Sequence, residues 1–450
     1  MSEGAKTPAP TPSVLDRALR VFGDVRAGEG LGVALMFLNV FALLVAYYIL
    51  RTVREPLILS EGSAELKSYA SALQALVLMG YVPLYAWVAS KLPRQKLILA
   101  VILFFLGGLQ LFFLAGQAGV PHIGLVFFVW VGIFSLTMIA QFWSYANDLY
   151  SREAGNRLFA LIAIGSTAGA PLGAALAEWM FGAGVGPYSM MQIAAALLLV
   201  HLGLYGAANR RLAGAGGATS GGESLKRGGG FGLVFRSRYL MLIAGFLVLL
   251  NVVNTTGEYL LSESVLEKAA VLAASDPSFD QGAFIGGFYG GFFFWVNVAT
   301  IIIQAFLVSR LVKYLGMAGA LFALPIVALG TYGLVGAGAG FALLRWAKTA
   351  ENSTDYSVMN TAKQMLWLPT TREEKYKAKQ AIDTFFVRAG DVISAGMVFV
   401  GVNWLVLDVA GFGRANVAIV LVWFLVGAVL LREYRRLTST AGTAPGQGSH

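Results

Sequence analysis

About twelve apolar stretches follow one another along this 450-residue chain, and charged side chains are almost banished from them except at a few positions inside the stretches themselves. Each approaches the ~20 residues a helix needs to cross ~30 Å of hydrocarbon. Their starts fall near Leu31, Tyr69, Leu97, Gly124, Leu158, Met190, Tyr239, Gly282, Met317, Gly340, Ile382 and Asn416. Hydrophobic residues make up 57% of the chain and charged residues 13%, far from the balance of a soluble domain. In hydrocarbon every backbone polar group must be satisfied within its own segment, so the pattern dictates an all-α polytopic membrane protein. An ionisable side chain at bilayer depth is costly unless it faces a polar cavity or a partner, so the intramembrane charges point to function, and transport is the first expectation.

The loops set the orientation. One alternate set carries Lys91, Arg94 and Lys96; Arg152 and Arg157; Arg210, Arg211, Lys226, Arg227, Arg236 and Arg238; Arg310 and Lys313; Arg372, Lys375, Lys377 and Lys379; and Arg432, Arg435 and Arg436. The opposite loops carry chiefly Lys67, Lys268 and Arg414, so the positive-inside rule places both termini in the cytoplasm, in a bacterial inner membrane. The net charge of +9 is thus topology rather than a nucleic-acid footprint, which would need a solvated basic domain. The bilayer is the partner, and no nucleic acid is expected.

Residues 1–30 lack the order of a cleavable signal peptide, because Pro8, Pro10 and Pro12 precede any apolar run and Arg17, Arg20 and Arg26 follow. They read as a cytoplasmic lead-in. Within it, Val14, Leu15, Ala18, Leu19 and Phe22 share one helical face, as in a helix lying on the inner leaflet. With no cysteine, disulfides, thiolate metal sites and thiol catalysis are excluded, and His122, His201 and His450 are too scattered for a metal site. No metal, cofactor or catalytic residue is expected.

The longest polar interval, Arg210 to Gly232, is rich in Gly and Ser and divides the chain into two sets of six stretches. The organisation expected is a lead-in (1–30), an N-terminal six-helix half (31–209), a connector (210–238), a C-terminal six-helix half (239–432) and a cytoplasmic tail (433–450). Ser90-Lys91-Leu92 with Arg94 has its counterpart in Ser309-Arg310-Leu311 with Lys313, and Arg51 to Ser60 with Glu55 has one in Asn254 to Ser262 with Glu258. Two parallel six-helix pseudo-repeats around a central cavity are the architecture of the major facilitator superfamily. Gly165, Gly169 and Gly173, and again Gly286, Gly287, Gly290 and Gly291, are small-residue stripes that let helix backbones approach. No Gly-x-x-x-x-Gly-Lys-Ser/Thr phosphate loop occurs, so ATP hydrolysis is not the expected engine.

Four helices carry the chemistry. At the end of the first span, Arg51, Arg54 and Glu55 lie on adjacent turns before Pro56; by spacing, Glu55 pairs with Arg51 and leaves Arg54 for an anion. The alternative is a set of interfacial charges that snorkel. The seventh span aligns Asn251, Asn254 or Thr255, Glu258 and Ser262. The tenth is the most polar, with Arg345, Lys348, Asn352, Asp355 and Lys363 along one face and Glu351 one step round; local pairs of Lys348 with Glu351 or Asn352 with Asp355 are open to it. The eleventh adds Arg388 and Asp391, with Thr384 on the same side. Fixed cations in a low-dielectric cavity attract a polyanion such as a nucleotide or organic phosphate, while interleaved carboxylates carry protons or balance charge.

At these residues the chain resembles a known family. Tyr48-Ile49-Leu50-Arg51-Thr52-Val53-Arg54-Glu55 is similar to the first-helix signature of the bacterial and plastid ATP/ADP translocases. Phe142-Trp143-Ser144-Tyr145-Ala146-Asn147, with Arg157 ten residues beyond, resembles their Phe-Trp-x-x-Ala-Asn element. Tyr356-Ser357, Lys363-Gln364-Met365, Pro369 and Lys377-Ala378-Lys379-Gln380-Ala381-Ile382-Asp383 resemble a further block, and Val25-Arg26 with Gly28-Glu29-Gly30 resembles the lead-in of free-standing bacterial members. The resemblance implies nucleotide exchange, with Arg54 where the family has a Lys and Lys379 matching a second important Lys. It also implies rewiring. Asn254 stands where exchangers are acidic, an acidic residue is missing around Val131, Asn352 and Asp355 replace basic positions, and Lys348 replaces an amide.

The expected substrate-binding residues are therefore Arg51, Arg54, Lys348, Asn352, Lys379 and Arg388, and the coupling or charge-balancing residues Glu55, Asn254, Glu258, Asp355, Asp383 and Asp391. The expected function is alternating-access exchange of a small anionic substrate, a nucleotide first, by a monomer. The alternatives are proton- or ion-coupled transport of another organic anion and, from a different class, a membrane-embedded sensor or assembly factor.

Overall fold

The computed structural model describes residues 12–212 and 229–442. Residues 1–11 of the lead-in, 213–228 of the expected connector and 443–450 of the tail lie outside the described residues. All regular structure among the described residues is helical: α1 (Val14–Leu19), α2 (Gly30–Glu61), α3 (Ala64–Lys91), α4 (Arg94–Gln117), α5 (Ile123–Leu149), α6 (Arg152–Gly182), α7 (Pro187–Leu212), α8 (Gly230–Arg236), α9 (Arg238–Ser275), α10 (Gln281–Ile302), α11 (Val308–Gly336), α12 (Phe341–Thr354), α13 (Asn360–Met365), α14 (Lys379–Ala381), α15 (Val387–Asn403) and α16 (Val409–Gly442). Wider π turns are inserted at Ile303–Leu307, Asp355–Met359, Glu374–Ala378 and Ile382–Phe386.

Among the described residues, ten helical stretches are long and apolar enough to cross a membrane. Two physical facts separate this count from the twelve starts read in the sequence. The stretch Gln281–Gly336 runs for 56 residues and contains two of the starts; it bends at Gly316, whose φ of 60° is open to a residue without Cβ. The stretch starting near Gly340 is helical but too polar to qualify by hydropathy.

The chain divides into two compact units. Among the described residues, the first takes 12–53, Leu92–Val120 and 131–212. Within it α6 lies closely against α2 along the glycine stripe. A Cβ on Gly165, Gly169 or Gly173 would lie 2.5, 2.7 or 2.6 Å from the carbonyl oxygens of Phe37, Phe41 and Val45. His201 is structural: it is buried with its Nδ1 3.1 Å from Asn39 O, while Asn39 Nδ2 donates to His201 O at 2.8 Å.

The lead-in is tied to this unit. Asp16 accepts from Ser13 N (2.7 Å), Ser13 Oγ (2.8 Å), Gly28 N (3.1 Å) and Gly30 N (2.7 Å), and these donors, the Gly28 amide foremost, hold its carboxyl far below the ordinary range. A Cβ on Gly30 would sit 2.5 Å from Asp16 Oδ1, and Gly28 has φ 89°, which accounts for both glycines of the Gly28-Glu29-Gly30 element. Glu29 meets Arg157 through two bonds of 2.8 and 3.1 Å, and that guanidinium lowers the Glu29 carboxyl below its usual value. Val14, Val21 and Phe22 remain exposed.

The second unit comprises, among the described residues, Arg54–Lys91, Pro121–Trp130 and 229–442. Here α3 packs on α9 and α15, and α16 packs on α9 and α11. The end of α2 is fixed by α5: Glu61 accepts from Gly124 N (2.6 Å) and Leu125 N (3.2 Å), capping the free amides of the α5 start. This anchors Arg54 and Glu55 beside α3.

The α2/α6 contact yields a test. Gly169→Leu should abolish monodisperse, detergent-stable protein, because the backbone approach leaves no room for a side chain, whereas Gly203→Leu, with nothing within 4 Å of its Cβ, should be tolerated. Equal thermal stability of both variants by fluorescence-monitored unfolding would contradict this packing.

Candidate functional site

The charges group into clusters along α9. At the first, Glu55 is 1% exposed and lies between two cations: Arg54 Nε is 2.9 Å from its Oε1 and Lys67 Nζ 2.7 Å from its Oε2. By spacing alone Glu55 pairs with Arg51; the structure supplies Arg54 and Lys67, because the carboxylate is turned toward α3 and the core. Lys67 also donates to Ser262 Oγ (2.9 Å) and Tyr289 OH (3.2 Å), with its ammonium 4.6 Å from the Tyr289 ring centroid. The Arg54 guanidinium lies 4.3 Å over Phe128 and leaves its two Nη groups without a protein partner among the described residues. Two cations against one carboxylate leave this cluster with one positive charge in excess.

The second cluster surrounds Lys348, fully buried on α12. Its Nζ lies 3.1 Å from Glu351 Oε1, 3.9 Å from Glu258 Oε1, and 3.4 Å from both Asn254 Oδ1 and Tyr332 OH. Tyr332 donates to Glu351 Oε1 at 2.8 Å, and Asn352 Nδ2 donates to Glu258 Oε1 at 3.0 Å. One cation against two carboxylates leaves one negative charge in excess. Ser262, one turn beyond Glu258, donates to the Glu258 carbonyl at 2.8 Å and so joins the two clusters through α9.

The remaining charges pair nearby. Asp391 accepts at Oδ1 from Asn251 Nδ2 and Thr255 Oγ1, both at 2.8 Å, and its Oδ2 is 3.5 Å from Arg388. Asp355 pairs with Lys363 at 3.1 Å, beyond the π turn that begins at Asp355, while Asn352 donates to Glu258 instead. Lys379 donates to Gln364 Oε1 at 2.8 Å, and Asp383 is exposed on the last π turn. Arg51 lies in the part of α2 counted with the first unit, 3.4 Å from the Tyr48 hydroxyl. The structure thus brings Arg54, Glu55, Asn254, Glu258, Lys348 and Asn352 into linked clusters and leaves Lys379 and Asp383 in the segment leading into α15.

Sequence reasoning missed Lys67, Tyr289, Tyr332 and Gly257. Lys67 looked like a loop marker, yet it sits inside α3 and is buried. Gly257 lies between Asn254 and Glu258, and a Cβ there would fall 1.9 Å from Tyr332 OH and 2.7 Å from Lys348 Nζ. A glycine between two polar helix positions was the available signal.

No protein-family model matches the chain. ADP,ATP carrier protein 1 of Chlamydia trachomatis serovar D is 25% identical over 347 residues, covering 66% of this chain and 63% of that protein. ADP,ATP carrier protein 1 of Chlamydia muridarum is 24% identical over 310 residues, covering 59% and 56%. This chain is a distant relative of the ADP,ATP carrier proteins. It spans less than two thirds of the length of these curated relatives. Its fold matches the POT family transporter PepTSo (TM-score 0.65, 12% identity, 90% of this chain and 98% of that one) and the nucleoside transporter NupG (0.63, 11%, 88% and 98%). A bacterial homologue of the iron transporter ferroportin, in its inward-facing state, matches at 0.65 with 14% identity over 89% and 98%. At such identities the likeness shows the fold alone, an all-α polytopic fold shared with these transporters.

The tight seat of Lys348 predicts that Gly257→Ala lowers stability by about 1–3 kcal/mol, the range for overpacking a core. Thermal unfolding in detergent measures it, and a wild-type midpoint would contradict the contact between Gly257, Tyr332 and Lys348.

Proposed function

We propose that this chain is a membrane transporter that works by alternating access and exchanges nucleotides of the ATP/ADP kind. One observation carries the reading: inside a membrane-spanning fold, Arg54 and Lys67 share a single carboxylate, and the Arg54 Nη fork has no protein partner among the described residues. A local positive excess with an unengaged guanidinium fork suits an anion, and the fork geometry suits a phosphate. The relatives' name, ADP,ATP carrier protein, selects the nucleotide among anions.

In this scheme the substrate phosphates lie between Arg54 and Lys348 or Arg388, with Lys67 holding Glu55 aside. Asn352 and Lys379 complete the binding set and Arg51 guides entry, while Asn254, Glu258, Asp355, Asp383 and Asp391 balance the cations. Occupied, the cations favour closure around the ligand; empty, they resist it, which opposes unloaded return and produces exchange. The protein works as a monomer of two six-helix halves, 31–209 and 239–432, with α1 on the inner leaflet of a bacterial inner membrane and both termini in the cytoplasm. No catalytic step is involved.

The assay is uptake of labelled ADP into proteoliposomes loaded with unlabelled nucleotide. Wild-type protein should exchange. Arg54→Ala should weaken binding by roughly 2–5 kcal/mol, as for one member of a buried charged contact, and Arg54→Lys should retain part of it. Absence of uptake by folded wild-type protein removes nucleotide exchange, and undiminished uptake by Arg54→Ala removes this residue from the site.

A further inference from the structure

The Lys348 cluster has a feature that anion binding does not use. Glu351 is 3% exposed, and only one of its carboxylate oxygens is engaged: Oε1 takes Lys348 at 3.1 Å and Tyr332 OH at 2.8 Å. Its Oε2 is buried with no hydrogen-bond partner among the described residues. A carboxylate oxygen left bare in a low-dielectric interior carries ionic charge that neither water nor a donor stabilises, and protonation removes that charge.

The surroundings favour the same outcome. Lys348, on the same helix, is shared between Glu351 and Glu258 of α9, and Asn352 ties Glu258 in place at 3.0 Å. From α11 the group facing Glu351 is Tyr332, a neutral donor. The α10 sequence, Gln281–Ile302, contains no charged residue. Glu351 thus shares its one close cation, Lys348, with Glu258, which from α9 also feels the Lys67 ammonium of α3, and Glu258 and Glu351 oppose each other's ionisation. Asn254 is the other polar neighbour, 3.4 Å from Lys348, and brings no charge.

We infer that Glu351 is a proton-binding site, in which a proton is taken up on Oε2 to give the carboxylic acid, Oε1 keeps its bond from Tyr332, and Lys348 is left to Glu258. Uptake of one proton removes the negative excess of this cluster, so that it becomes neutral while the Arg54/Lys67 cluster one turn along α9 keeps its positive charge. The two clusters then divide the labour: the positive one takes the anion and the negative one the proton. Use of this site to couple a proton to transport rests on the transport reading; the proton site itself does not.

The site is tested on the full chain in liposomes by infrared difference spectroscopy between acid and alkaline buffer, with no substrate added. Wild-type protein should gain a protonated-carboxyl C=O band as pH falls, and Glu351→Gln should lose that band. Tyr332→Phe, which removes a donor to the ionised form, should move its midpoint to higher pH. A band unchanged in Glu351→Gln, or a midpoint unmoved or lowered in Tyr332→Phe, overturns the assignment. The second readout is labelled ADP uptake with and without an inward proton gradient: the ratio should exceed one for wild type and fall to one for Glu351→Gln. A titrating band with no ADP uptake would remove the nucleotide and keep the proton site; ADP exchange with no titrating band would do the reverse.

Discussion

The second unit depends on how a fully buried carboxylate, Glu55, is kept ionised at membrane depth. It does so by holding two cations, one from its own helix and one from the next, at 2.9 and 2.7 Å. Removing charge from water costs several kcal/mol per ion even after relaxation, and only close, multiply hydrogen-bonded partners offset it. Lys67 meets this demand with Glu55, Ser262 and Tyr289 together. From α3, that one ammonium joins residues of α2, α9 and α10.

The helix that organises the clusters is α9. It presents Asn251 and Thr255 to Asp391, Asn254 and Glu258 to Lys348, and Ser262 to Lys67. These positions recur at helical spacing, so one continuous helix sets the separation of clusters with opposite residual charge. The arrangement requires Gly257 to have no side chain and Glu61 to fix the end of α2 against α5. Structure and proposed function meet here: a positive excess beside a negative one suits a carrier that takes an anion and balances it internally.

Much of this was legible in the chain. The apolar stretches, the polar face of α12, the seventh-span stripe and the close-packed glycines of α6 all follow from periodicity and from the cost of burying charge. The partners were harder to read. Spacing joined Glu55 to Arg51 and Asn352 to Asp355, but tertiary packing gave Glu55 to Lys67 and Asn352 to Glu258. A one-dimensional periodicity cannot see a neighbouring helix, and a π turn at Asp355 shifts the register that the pattern assumes. Lys67 was hidden for a related reason: a single Lys near the start of an apolar stretch looks the same whether it reaches the interface or turns inward.

The claim that unites these features is that the Arg54/Lys67 cluster binds the charged part of a nucleotide. Thermal unfolding of the purified chain with ADP, pyrophosphate or adenosine tests it most directly, since a ligand that binds only the folded state stabilises it by mass action. The account predicts stabilisation by ADP and by pyrophosphate, little by adenosine, and loss of the ADP effect in Lys67→Met. Stabilisation by adenosine alone, no shift with any anion, or a full ADP shift in Lys67→Met would contradict it.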